Sequence, residues 1–168
     1  IRYPRAWVAV GIAATAWWVP PPWHSTIVYC GCDSQPYAYS YGDNITYNEG
    51  TVYYGDRPVA SAEQYYQQAN ALASGGQQSA NEDWLPLGVF GVARPSANTA
   101  ERVVQLAVNK DGVIRGNFHD LLTDTVTPIV GAVDKKSQRV SMRLQGNDSV
   151  VVEAGQGAEA LLGDVGGV

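Results

Sequence analysis

RVVQLAVNKDGVIRGNFHDLLTDTVTPIVGAVDKKSQRVSMRL, residues 102–144, decides the fold. Apolar or small residues recur at every second position in three successive runs: Val104, Leu106 and Val108, then Ile114, Gly116 and Phe118, and later Val140, Met142 and Leu144. A period of two belongs to a strand with one face in the core, because successive side chains leave a strand on opposite faces. The residues between are mostly Arg, Gln, Asn and Ser, so the other face is expected in water. Asn109-Lys110-Asp111-Gly112 supplies residues able to take positive φ, which a tight hairpin requires. Asp134 to Gln138 and Gly146 to Ser149 repeat that punctuation. The fold class that follows is mainly β with some helix (α+β), an antiparallel up-and-down meander or partial barrel.

Upstream, Ile45 to Tyr47 and Thr51 to Tyr54 flank Asn48-Glu49-Gly50 and read as a short hairpin, with Arg57-Pro58-Val59 following. A helix over about 61–74 comes next. Ser61 with Gln64 three residues later forms a capping box, and Ala62, Tyr65, Tyr66, Ala69, Leu72 and Ala73 fall on one helical face before Gly75-Gly76. Leu85, Leu87, Val89, Phe90 and Val92 make a further strand that enters the sheet, and Pro86 puts its start at an edge or just outside the ladder.

The front of the chain differs in kind. The apolar run over residues 6–19 is too short for a bilayer span, which needs about 20 apolar residues, so no membrane span is expected. Trp7, Trp17 and Trp18 are bulky for the core of an export signal, and Pro20-Pro21-Pro22 follows where a cleavage site would need small residues. The run reads instead as an apolar N-terminal helical segment that a partner surface must cover. Because the first residue is Ile1, the chain is expected to be a processed product or a fragment. From Trp23 to Tyr41 no period is clear, which suggests an extended, aromatic arm. All but one of the ten Tyr lie between Tyr29 and Tyr66, a composition suited to a partly wet interface or to packing on the chain's own sheet. The organisation expected is therefore an apolar helix plus extended arm over 1–43, a β-rich globular domain with one helix over 44–153, and a Gly- and Ala-rich tail over 154–168.

At Tyr41-Gly42 with Tyr47, Val52-Tyr53-Tyr54, Pro58-Val59-Ala60-Ser61, Trp84 to Phe90 and Gly131 to Arg139, the chain resembles a family of exported planctomycete cell-surface proteins, some of which carry the name mu-protocadherin. The likeness runs roughly from Tyr3 to Glu153. It implies an extracellular or cell-surface location and a structural or surface role, and it brings no catalytic residues. Similar sequences continue past the position of Val168 into another apolar, Trp-containing stretch, so the last strands of the sheet are expected to lie beyond this chain.

Composition narrows the function further. Charged residues make up 16% of the 168, against about a quarter in an ordinary domain, which favours a protein buried in an assembly. A net charge of −5 with scattered cations argues against nucleic acid, and Lys135-Lys136 reads as a solvated turn. No nucleophile elbow, phosphate loop, paired-carboxylate motif or calcium loop is present in the sequence, so no catalytic residue, cofactor or metal is expected. His119-Asp120 with Asp124 is the nearest approach to an acid–base group, but neighbours on a strand point to opposite faces. Cys30-Gly31-Cys32 lacks further ligands for a metal, and a bond within the pair would be strained, which leaves pairing with a neighbouring subunit's cysteines or reduced thiols.

The function expected is a structural protein, a subunit of a homopolymeric assembly or filament that binds copies of itself and is not an enzyme. Its assembly interface would use Trp7, Trp17, Trp18, Trp23, Tyr37, Tyr39 and Tyr41. The alternative is a small-ligand or carbohydrate-binding β-barrel module that holds its ligand in the barrel mouth.

Overall fold

The computed structural model describes residues 21–33, 38–39, 42–76, 83–92 and 100–154. Helix α1 (Trp23–Tyr29) comes first, followed by strands β1 (Ile45–Asn48), β2 (Thr51–Tyr54) and β3 (Arg57–Ser61). Helix α2 (Ala62–Gly75) leads into β4 (Trp84–Val92), β5 (Arg102–Asn109), β6 (Val113–Asp120), β7 (Thr125–Val133), β8 (Val140–Leu144) and β9 (Val152–Ala154). β1 to β3 form one antiparallel sheet and β4 to β9 a second, each with its strands in chain order. The up-and-down meander expected from the alternation is present, and the larger sheet curls into a half-barrel.

The turns carry the chemistry that closes them. Between β1 and β2, Glu49 and Gly50 both take positive φ, 46° and 80°, the pairing that matches the twist of a two-residue hairpin. Between β5 and β6, only Gly112 goes left-handed, at φ 83°, while the Asn109 Oδ1 accepts the N–H groups of Asp111 and Val113 at 3.0 and 2.9 Å. At the start of α2 the capping box forms as expected: Gln64 N–H donates to the Ser61 hydroxyl, and Ser61 N–H to the Gln64 side chain.

One face of the large sheet is apolar throughout. Val104 and Val108 of β5, Ile114 of β6, Ile129 of β7 and Val140 with Met142 of β8 form a buried cluster, and register places them on the same side of the sheet. Cys30, just past α1, belongs to this cluster, and Trp23 and Tyr29 pack against it. The expectation of an extended arm from Trp23 onward is thus corrected over Trp23–Tyr29: the segment is a helix, with Trp23 and Tyr29 packed on the apolar face of the sheet. Burial of Ile27 and Cys30 outweighs the poor helix propensity of the β-branched run Thr26, Ile27 and Val28.

The opposite face was expected in water, and this too is corrected. Val103, Gln105, Ala107 and Asn109 of β5 are buried, as are Val130 and Ser141. α2 packs across β7 and β8 on this side, with Ala69 and Ala73 turned inward and Tyr66 left 40% exposed. Close approach depends on Gly76, where a Cβ would overlap the main chain of Gly131. Tyr39, Ile45 and Val52, with Tyr65, form a second, smaller core between α2 and the three-stranded sheet.

Candidate functional site

The residues expected at an assembly interface separate into two groups. Trp7, Trp17, Trp18, Tyr37 and Tyr41 lie outside the described residues. Trp23 and Tyr39 face the chain's own cores. Trp23 packs on the apolar cluster, and its indole N–H is buried with no hydrogen-bond partner among the described residues. Tyr39 is 7% exposed, donates its hydroxyl to the Ser137 carbonyl at 2.6 Å and meets Tyr54 edge to face at 6.3 Å. Tyr39 is thus buried in its own core, while Trp23 is half-buried.

Both cysteines are free thiols. Cys30 is 1% exposed and its Sγ donates to the Asn109 carbonyl at 3.8 Å. Burial pushes its thiol up to about 11, with the neighbouring Cys32 adding to the rise. In this fold Cys30 is shielded from thiols outside the chain, while the half-buried Cys32 lies nearer the surface.

His119, Asp120 and Asp124 do not converge. His119 and Asp120 leave β6 on opposite faces, as expected for strand neighbours. The His119 ring nitrogen Nε2 lies 3.0 Å from an Asp124 oxygen across the hairpin tip, and Asp120 pairs with Arg102 at 3.4 Å. Among the described residues no group of three His, Cys, Asp or Glu could hold a metal ion, and no helix is long and apolar enough to cross a membrane. Lys135 donates to the Lys110 carbonyl at 3.0 Å, while Lys136 stays in the turn that Asp134 caps. Burial works to raise the Asp134 carboxyl, but the N–H groups of Lys136 and Ser137 and the Ser137 hydroxyl outweigh it and hold the group below its ordinary value.

A site that the sequence did not announce lies between the two sheets. A shallow, open cleft of about 580 Å³ is lined by Ile45, Thr46 and Tyr47 of β1, Val52 of β2, Tyr65 of α2 and Glu153 of β9. Ile45 and Val52 are buried and form its base, while Tyr47 stands 68% exposed at its rim. Glu153 reaches it through an ion pair. The Arg139 Nε donates to the Glu153 Oε1 at 2.5 Å, and the Ser141 hydroxyl donates to the same oxygen at 3.2 Å. Arg139 also donates from Nη2 to the Tyr65 carbonyl at 3.0 Å and from Nη1 to Gln68 at 3.4 Å. Its guanidinium lies 3.7 Å from the centre of the Tyr65 ring, a cation–π contact that ties α2 to the edge of the large sheet. Side chains of this ion pair are only 11% and 12% exposed.

Comparison with protein-family models, with curated proteins and with solved structures finds no match to this chain.

Proposed function

We propose that the chain is a structural subunit of an extracellular or cell-surface homopolymer, with no catalysis of its own. The observation that carries this reading is the open meander. β4 and β9 stand at the two ends of the large sheet, and each pairs on one side only among the described residues. A strand edge presents main-chain N–H and C=O groups that pair readily with another chain. Because the two edges differ, contact from β4 of one copy to β9 of the next is head-to-tail, and a head-to-tail contact that does not close generates a filament. Phe90, 37% exposed on β4, adds surface that a neighbouring copy would cover. The resemblance to exported surface proteins supports the location.

Electron microscopy of the purified chain over a concentration series tests the proposal. Filaments are expected, and Phe90→Lys should reduce them to single subunits, since a charge on an edge strand opposes further pairing. Monodisperse single particles of the unsubstituted chain at high concentration would overturn it.

A further inference from the structure

The cleft between β1, α2 and β9 is reached by the Glu153 side chain from the face of β9, whereas the proposed assembly contact uses the main-chain edges of β4 and β9. We infer that the cleft binds a neutral sugar unit of a polysaccharide. Its volume lies within the range of small-ligand sites, about 300–1,000 Å³, and its open shape suits a ligand that keeps one side in water.

Charge removes the ionic alternatives. Glu153 and Arg139 neutralise each other at the cleft wall, and the Arg139 guanidinium already lies over Tyr65. An organic cation would meet that guanidinium where it needed the ring face, and an anion would meet the Glu153 carboxylate.

β1 also offers too little main chain for an added peptide strand. The Asn44 carbonyl accepts from Gly55 N–H, so the groups of Asn44 and Thr46 point toward β2 and those of Ile45 and Tyr47 point away. Of these, the Ile45 carbonyl is already taken by Gly42 N–H at 2.8 Å. What remains is a ring and a carboxylate. Tyr47 presents a large, exposed aromatic face on which the C–H side of a pyranose can lie, since ring faces carry partial negative charge and C–H groups partial positive. Glu153 lines the same cleft, and its carboxylate, with Arg139 and Ser141 on one oxygen, gives the wall beside the ring an acceptor character that suits hydroxyl groups. A ring for the C–H face with an acceptor beside it is a pattern for hydroxyl-rich neutral ligands.

Native gel electrophoresis of the full chain in gels containing laminarin, mannan, dextran or a soluble galactan tests it, with choline and inorganic phosphate as charged probes in calorimetry. At least one neutral polymer is expected to retard the chain. Tyr47→Ala should weaken that retardation about tenfold or more, as loss of a stacking ring does elsewhere, while Tyr47→Phe preserves it. Tyr47 is exposed, so both variants should keep the far-ultraviolet circular dichroism of the unsubstituted chain. The inference is overturned if no neutral polymer retards the chain, or if Tyr47→Ala is retarded as strongly as the unsubstituted chain. It is equally overturned if choline, phosphate or an extended peptide binds in a Tyr47-dependent way and the polymers do not.

Discussion

On the face of the large sheet that α1 packs against, Val104, Val108, Ile114, Ile129, Val140 and Met142 form a buried cluster with Cys30. On the opposite face the same strands bury Gln105, Asn109, Asn117 and Ser141. The first face is held by apolar area, which is indifferent to direction, so any loss of volume there is felt as a cavity. The second face depends on individual pairings, and its groups differ in how well they are met. Asn109 holds a turn together through two accepted hydrogen bonds, and Ser141 reaches Glu153. Gln105, 2% exposed, has neither amide atom hydrogen-bonded among the described residues. Equal burial on the two faces therefore does not mean equal contribution to stability.

The contrast is broken most severely at Ile114, 1% exposed in the centre of the apolar face. Ile114→Ala should cost about 2–5 kcal/mol, read as a fall in the urea midpoint with little change in slope.

Cys30 tests the same face by pH. Raising its thiol from 9.0 to about 11 leaves roughly a hundredfold less thiolate at pH 8, so Ellman's reagent should find Cys30 silent in the folded chain and reactive after denaturation. For the sign, the folded thiol holds its proton more tightly than the unfolded one. Its contribution to stability is thus complete below pH 9 and is lost as pH rises toward 11, which denaturation midpoints across that window should show.

The smallest effect is expected on the polar face and carries the opposite sign. Gln105→Met keeps the volume and removes the amide, and should raise stability by about 1 kcal/mol in the same urea experiment. A loss of comparable size would mean that the amide has a partner in solution.

The meander was legible in residues 102–144 because its alternation is strict where one face is aliphatic. β7 was not legible, since Pro128 and Gly131 interrupt Thr125–Val133. Proline usually marks an edge strand, yet β7 lies between β6 and β8. Pro128 is tolerated because its main chain faces Gln145, beyond the end of β8, where its carbonyl accepts the Gln145 N–H and no ladder donor is needed. α1 escaped for a different reason. Its β-branched residues argue against helix, and the apolar cluster that stabilises it is supplied by strands more than seventy residues away. The one local hint was Pro22, which stands at the N-cap with φ −56° and ψ 144°.

The cleft was the least legible feature. Nothing near Glu153 announces Arg139 as its partner, and only the pairing of β8 with β9, which sets Ser141 opposite Glu153, brings them together. The Tyr-rich region, by contrast, was conspicuous in composition, yet among the described residues its rings do not gather into one cluster. Composition showed that rings were plentiful; register decided which of them face inward.

α1 leaves the ribosome well before the β8 residues that complete its pocket. At about 5–20 residues per second, the helix spends on the order of ten seconds with no sheet to shelter it. Through that interval its thiol and its indole are open to oxidants and to other nascent chains, and a holding chaperone acting on the newly made α1 segment would protect yield more than any aid to the hairpins, which assemble from neighbours in sequence.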